Sequence, residues 1–540
     1  MAAAPTTNSD RTYLWWETGT IYQIYPRSFQ DSDQDGVGDL NGIYSRLEYL
    51  HWLGVNCIWL SPIFPSPMAD FGYDISDYRE IHPLFGTMDD FNRLLGEVHR
   101  LGMKLILDLV PNHTSDQHPW FLESKSSKDN PKRDWYIWQD AKENGDVPNN
   151  WLSVFGGYAW EWDEVTDQYY YHAFLKEQPD LNWRNPEVQQ AVFSEMRFWL
   201  DKGVDGFRVD VLWHMIKDKQ LRNNPVSPHS GFHADNLIYD HYLPLFSTDQ
   251  PEVHEIARMM REVTDGYHER VLIGEIYLPI DKLVTYYGQQ LNETHLPFNF
   301  QLLNLPWDSE KISLVVHEYE AAIPAGGWPN WVLGNHDKPR ISSRIGRSPA
   351  RVAAMLLLTL RGTPTLYYGD EIGMRDVPIP MDEIVDPQGL NMPDLNVSRD
   401  PARTPMQWDG SENAGFSTHK PWLRFPHDAK SINVEKQKRD PDSMLTLYRR
   451  LIAIRKSSQA LQTGDYIPVQ HNDQLFAYIR QKNDEKYLII LNMSHSPCYF
   501  KSQIKYHGVV LISTEHEREN TIVDGTVVLS GDEGILVRLR

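Results

Sequence analysis

Gly206-Phe207-Arg208-Val209-Asp210 is a short apolar run broken by one cation and one carboxylate two residues apart. In a strand, residues i and i+2 point to the same face, so Arg208 and Asp210 stand side by side on a surface otherwise suited to burial. A buried charge is tolerated when it is paired or functional, and taken alone this stretch reads equally well as a structural ion pair. Three further apolar runs have the same ending. Residues 104–110 carry Asp108 and lead into Asn112 and His113, residues 271–273 lead into Gly274-Glu275, and residues 331–333 lead into Gly334-Asn335-His336-Asp337. Recurrence of this ending favours a shared functional rim over unrelated ion pairs.

Working outward, strand-like runs alternate with segments of helical period. Residues 21–26 form the first run, 57–62 the second and 104–110 the third. Between them, residues 43–53 place Ile43, Leu47, Leu50 and Leu53, and residues 88–101 place Phe91, Leu94, Leu95 and Val98, at helical spacing. Further runs at 206–211, 271–276, 298–303, 330–335 and 363–368 bring the count to eight. Strand–helix alternation at this spacing predicts parallel strands with right-handed crossovers. Eight units predict a (β/α)8 barrel, whose active site lies at the C-terminal ends of the strands, where the charged groups above fall.

One interval is too long for a barrel unit. Asp108 and Asp210 are 102 residues apart, where a strand–helix–strand unit needs roughly 30. The excess is rich in Trp, Tyr, Asn, Pro and Gly, as in Pro148-Asn149-Asn150-Trp151. The chain is therefore divided into barrel (1–110), inserted domain after strand three (111–182), barrel again (183–460) and a C-terminal domain (461–540). In that last part short apolar runs separated by polar turns predict an antiparallel β module. No internal repeat or low-complexity tract is visible.

Composition limits the partners. With 52 Lys and Arg against 74 Asp and Glu, the formal charge of −22 argues against nucleic acid and anionic membranes, both of which call for a basic face. Two distant cysteines, Cys57 and Cys498, offer neither a disulfide framework nor a metal-type cluster. The first ten residues have no apolar core of a signal peptide, and no run is long enough to span a membrane. A cytoplasmic enzyme, monomer or homodimer, is the simplest reading. Aromatic residues at 12% supply faces that can stack on ligands.

Asp210, Glu275 and Asp337 bring carboxylates from separate strands to one rim. Two carboxylates facing each other across a bond are what retaining glycoside hydrolysis needs, and a third can bind sugar hydroxyls or raise the pKa of the acid. At this point the chain resembles the α-amylase family of glycoside hydrolases, family 13, nearly end to end. The resemblance rests on Asp108-Leu109-Val110-Pro111-Asn112-His113, Gly206-Phe207-Arg208-Val209-Asp210, Gly274-Glu275 and Asn335-His336-Asp337, in family order and spacing. It implies that Asp210 is the nucleophile, Glu275 the general acid/base and Asp337 the transition-state stabiliser. It further implies that Arg208 orients the nucleophile, and that Asp108, Asn112, His113, Phe174 and His336 shape the first sugar subsite. The implied substrate is a small carbohydrate, with no organic cofactor.

Gln178-Pro179-Asp180-Leu181-Asn182 looks like the marker of the oligo-1,6-glucosidase group, which also holds α-glucosidases, trehalose synthases and sucrose isomerases. Phe71-Gly72-Tyr73-Asp74 resembles the subsite where a Tyr stacks on the terminal glucose and an Asp binds its far hydroxyls. The resemblance pairs that Asp with an Arg, here assigned to Arg403, which would close the pocket and enforce exo cleavage. Val211, directly after Asp210, resembles the α-1,6-cleaving members. Residues 31–39 carry Asp31, Asp33, Asp35 and Asp39 at positions 1, 3, 5 and 9 of a calcium loop, with Gly36 at 6 and the Val37 carbonyl at 7. Gly42 replaces the bidentate Glu at position 12, so the loop is not an EF-hand. The expected occupant is a structural Ca2+ or Mg2+. Other readings are a transferring or isomerising relative, a catalytically silent transporter-associated relative, which would lose the carboxylates and carry a membrane span, and a sugar-binding module, which would not need the carboxylate trio.

Overall fold

The run at Gly206 is a strand with every residue buried, lying in parallel register between two others. In the computed structural model, which describes residues 11–228, 237–502 and 504–540, eight such strands form one sheet. They are β1 Ile21–Ile24, β2 Cys57–Leu60, β3 Lys104–Leu109, β4 Gly206–Val209, β5 Val271–Ile276, β6 Leu296–Asn299, β7 Asn330–Val332 and β8 Thr363–Tyr367. Their order is β7-β8-β1-β2-β3-β4-β5-β6. Asn330 ties the two ends together: its Oδ1 accepts from the Asn299 amide at 2.8 Å and its Nδ2 donates to the Pro297 carbonyl. The sheet closes into the expected (β/α)8 barrel. Covered on both faces, its strands read as continuous apolar runs, not as alternating ones.

Helix Met88–Arg100 shows why the helical period succeeds. Thr87 caps it, exchanging hydrogen bonds with Asp90, and Phe91, Leu94, Leu95 and Val98 are the buried stripe. The segment 43–53 departs from a single helix. It breaks at Arg46 into Leu40–Ser45 and Leu47–Leu53, because the Arg46 guanidinium turns inward, 4.2 Å from the Trp408 ring and bonded to Gln30 Oε1 at 2.7 Å. Strand β6 begins two residues before the predicted run and stops at Asn299. There the Asn299 side chain accepts from the Gln301 amide at 3.0 Å and turns the chain into a short helix, Gln301–Asn304.

Between β3 and β4 lies a three-stranded antiparallel sheet of Trp138–Gln139, Gln168–Tyr171 and Trp160–Asp163. Past the barrel, strands Asp465–His471, Leu475–Lys482, Glu485–Asn492, Gly534–Leu539, His507–Ser513 and Ile522–Asp524 form an antiparallel sheet in that order. Buried Arg480 joins it to the barrel by donating to the Thr359 carbonyl. No helix among the described residues is long and apolar enough to cross a membrane.

Candidate active site

Parallel register delivers the charged strand ends to one rim: Asp108 is level with Arg208, and Val209 with Gly274. Arg208, 1% exposed, is the hub. Its NH1 donates to Asp108 Oδ1 at 2.8 Å and to Asp210 Oδ1 at 2.6 Å, and its NH2 lies 2.6 Å from Glu275 Oε2. The adjacent residue is strained. Val211 has φ +38°, a left-handed conformation that a β-branched side chain resists, and this turn aims its amide at Glu275 Oε2, 2.9 Å away.

Burial raises Asp210 well above the usual carboxylate range and raises Glu275 as well, with further contributions from neighbouring acids and an opposing pull from Arg208. The two carboxyls share the Arg208 guanidinium, each 2.6 Å from one of its nitrogens. Such a pair with one guanidinium holds one proton readily and two negative charges poorly. Asp337 behaves oppositely. Burial works against its charge, yet His336 Nε2 at 3.3 Å, Arg399 at 3.4 Å and Arg403 at 3.0 Å hold it well below the ordinary range. Burial pushes His336 down to about 3, so it acts on Asp337 as a neutral ring donating through Nε2–H, while its Nδ1 takes the hydrogen bond of Gln23 Nε2, 2.8 Å away.

A cavity of about 360 Å³ opens over these groups, lined among others by Tyr73, His113, Phe174, Asp210, Glu275, His336 and Asp337. Tyr73 stacks on His336 with centroids 5.3 Å apart, and its hydroxyl donates to Asp108 Oδ2 at 3.0 Å. Asp108 itself lies behind the wall. Its carboxyl is spent on Arg208, Tyr73 and Trp59 Nε1, so it braces the site instead of shaping the subsite directly. His113, pushed down to about 4 by burial, sits 3.0 Å from the Tyr73 carbonyl through Nε2. Asp180 of the inserted segment accepts from the Ala173 amide, from Asn112 Nδ2 at 2.8 Å and from the buried ammonium of Lys217.

The Asp74–Arg403 pair does not form. Phe71 and Gly72 both take positive φ, and behind this turn the Asp74 carboxylate folds back to accept from the Ala69 and Asp70 amides at 2.8 and 2.9 Å. Arg403 instead donates to the His336 carbonyl and to Asp337. The pair at the pocket wall is Asp70 with Arg399, 2.6 Å apart, and Arg399 also binds Asp386 at 2.6 Å. Each partner lies four residues before the one assigned. For the acid the available signal was two carboxylates, Asp70 and Asp74, among apolar and small neighbours; for the base it was two arginines, Arg399 and Arg403, flanking Asp400.

The match to Alpha amylase, catalytic domain, spans residues 23–464. The chain belongs to the α-amylase family. It is a glycoside hydrolase. An oligo-1,6-glucosidase of Bacillus cereus is 39% identical over 97% of this chain and 99% of its own length. The crystal structure of an α-glucosyl transfer enzyme, XgtA, superposes with TM-score 0.90 at 38% identity, covering 98% of this chain and 100% of that one. The isomaltulose synthase SmuA of Protaminobacter rubrum gives TM-score 0.89 at 36% identity over 98% and 100%.

In this α-amylase family member the acidic loop after β1 converges in part. Carboxylate oxygens of Asp31, Asp33 and Asp39 lie within 4.8 Å of one another. Asp35 falls outside that cluster and accepts from the Val37 amide at 2.7 Å. Asp31 accepts from the amides of Asp33, Gln34 and Gly36, and Asp39 caps helix Leu40–Ser45 through the Gly42 amide. Burial, Asp35, Asp39 and Asp31 together raise Asp33. An all-oxygen donor set of like charges fits a hard divalent cation.

Proposed function

We propose that the protein is a retaining, exo-acting α-glucosidase that removes terminal α-linked glucose from short saccharides. The observation that carries the exo reading is the Asp70–Arg399–Asp386 cluster, which closes one end of the pocket with charges that match sugar hydroxyls. Asp210 attacks the anomeric carbon while Glu275 gives its proton to the departing glycosidic oxygen, leaving a glucosyl ester on Asp210. Glu275, now ionised, takes a proton from water as that water attacks the same carbon, and the free enzyme and glucose result. Arg208 opposes the rise that burial imposes on Asp210, so that the pair's one proton can rest on Glu275, and the Val211 amide orients Glu275. Asp337, ionised by its surroundings, stabilises positive charge at the anomeric centre.

Asp210→Asn and Glu275→Gln test this assignment: each should abolish turnover of an aryl α-glucoside while circular dichroism stays native. Near-native turnover by Asp210→Asn would overturn the nucleophile. A second reading, glucosyl transfer or isomerisation through the same ester, draws support from the likeness to XgtA and SmuA. Product analysis on maltose and sucrose separates them, because water and a second sugar compete for one intermediate. Asp31, Asp33 and Asp39 would hold a Ca2+ or Mg2+ whose part is structural, bracing the turn between β1 and helix Leu40–Ser45.

A further inference from the structure

Among the described residues, the pocket is lined by two basic side chains that are not histidine, Arg399 and Lys338. Arg399 is saturated by Asp70, Asp386 and Asp337. Lys338 is half-buried and makes no ion pair or hydrogen bond among the described residues. Its ammonium sits 5.5 Å from the centroid of the Tyr277 ring. Tyr277 is itself fixed, stacked on Phe300 with centroids 4.2 Å apart and planes 4° from parallel, with Trp213 tilted against it at 5.6 Å. Trp213, Tyr277 and Lys338 all line the cavity.

Barrel order says which end of the substrate meets these groups. The wall of Asp70 and Arg399 comes from the loops after β2 and β8, which flank β1. Trp213 and Tyr277 follow β4 and β5, across the barrel from β1. Tyr277 is also two residues beyond Glu275, the group that protonates the leaving oxygen. Sugar held against the closed wall therefore puts its leaving group on the Trp213–Tyr277 side. An ammonium has three donors and no acceptor, and an aromatic face satisfies its charge but none of its hydrogen bonds.

We propose that Lys338 is a specificity-determining residue for the leaving group, donating hydrogen bonds to the hydroxyl oxygens of a second sugar that lies against Trp213 and Tyr277. This rests on the α-glucosidase reading above and deepens it by naming a hydroxylated leaving group as the preferred class. A 4-nitrophenyl leaving group offers the same flat face without those hydroxyls. The test is kcat/KM for maltose and isomaltose relative to 4-nitrophenyl α-glucoside, in wild type, Lys338→Met and Lys338→Arg. In Lys338→Met the disaccharide-to-aryl ratio should fall about tenfold, and Lys338→Arg, which still donates, should recover part of it. A ratio unchanged within a factor of two overturns the proposal, whether both rates fall together or neither moves. Calorimetric binding of maltose relative to glucose, measured in the Asp210→Asn background, must weaken in the same direction and requires no turnover. Wild-type inactivity on every α-glucoside would instead remove the α-glucosidase reading, leaving the binding ratio to decide Lys338.

Discussion

Removing the wall of the pocket should convert an enzyme that counts from the chain end into one that does not. Arg399 donates to Asp70 and Asp386, each at 2.6 Å, and its side chain is 8% exposed, so Arg399→Ala strands two buried carboxylates. Breaking a buried pair this way costs about 3–5 kcal/mol. Arg403 stays 3.9 Å from Asp386 and softens the loss, so the lower end of that range is expected. The double variant Asp70→Ala/Arg399→Ala removes one stranded charge and should be the more stable of the two. Charge-assisted hydrogen bonds to terminal sugar hydroxyls are worth about 1.5–3 kcal/mol, which corresponds to roughly 10–150-fold in kcat/KM. Most of this should appear in KM, because Asp337 keeps Arg403 at 3.0 Å and stays ionised. The assay is steady-state kinetics on maltose together with early products from maltoheptaose. Unaltered kcat/KM in Arg399→Ala, or release of glucose alone by the double variant, would refute the reasoning.

Three other outcomes are expected. Asp370, buried in the turn after β8 and raised to about 7 by burial and by Glu371 against the pull of Arg340, stays protonated in the folded state while the unfolded carboxyl ionises near 3.9; stability therefore falls as pH rises between those values, by up to about 1.4 kcal/mol per unit. The Tm advantage of Asp370→Asn should grow from pH 4 to 7 and then level, and equal destabilisation at pH 5 and 8 would show that Arg340 requires the ionised form. Val211→Thr should shift kcat/KM from isomaltose toward maltose by about 1–3 kcal/mol, and absence of isomaltose cleavage by the wild type would remove Val211 as the determinant. Chelation should lower Tm, with Ca2+ restoring it in wild type but not in Asp31→Asn/Asp39→Asn; no Tm change on chelation would mean that the acidic loop after β1 is held by its own amides.

The barrel was legible because its strands are buried on both faces and its helices on one, so the two periods differ and alternate along the chain. In the structure Thr87 and Asn185 cap their helices with side-chain hydrogen bonds, which apolar spacing alone does not locate. What escaped was decided by side chains acting over long separations. Nothing local to residues 43–53 announces that Arg46 will turn toward Trp408, more than three hundred residues later, and break the helix. Strand β6 likewise ends where one Asn side chain replaces a backbone partner, a choice invisible to hydrophobic periodicity.

The site divides along the same line. Asp210 and Asp337 follow strands, and Glu275 lies at the end of one, whose register is fixed by the barrel, so naming the strands nearly names the residues that meet. Asp70 and Arg399 lie on loops, and there sequence offers two acids and two arginines within four residues of each other. Choosing between Asp70 and Asp74 requires knowing that Phe71 and Gly72 both adopt positive φ, which sends the second carboxylate back onto its own loop amides. For Gly72 that conformation is inexpensive; for Phe71 it is sparsely populated and persists because its surroundings impose it. Those surroundings include the Arg27 guanidinium, 5.0 Å from the Phe71 ring and 4.8 Å from Trp422, a residue 351 positions further on. The turn that aims Asp70 into the pocket thus packs against residues from far along the barrel chain. A loop charge can be recognised as functional from sequence, but which one of a pair faces the ligand is a tertiary property.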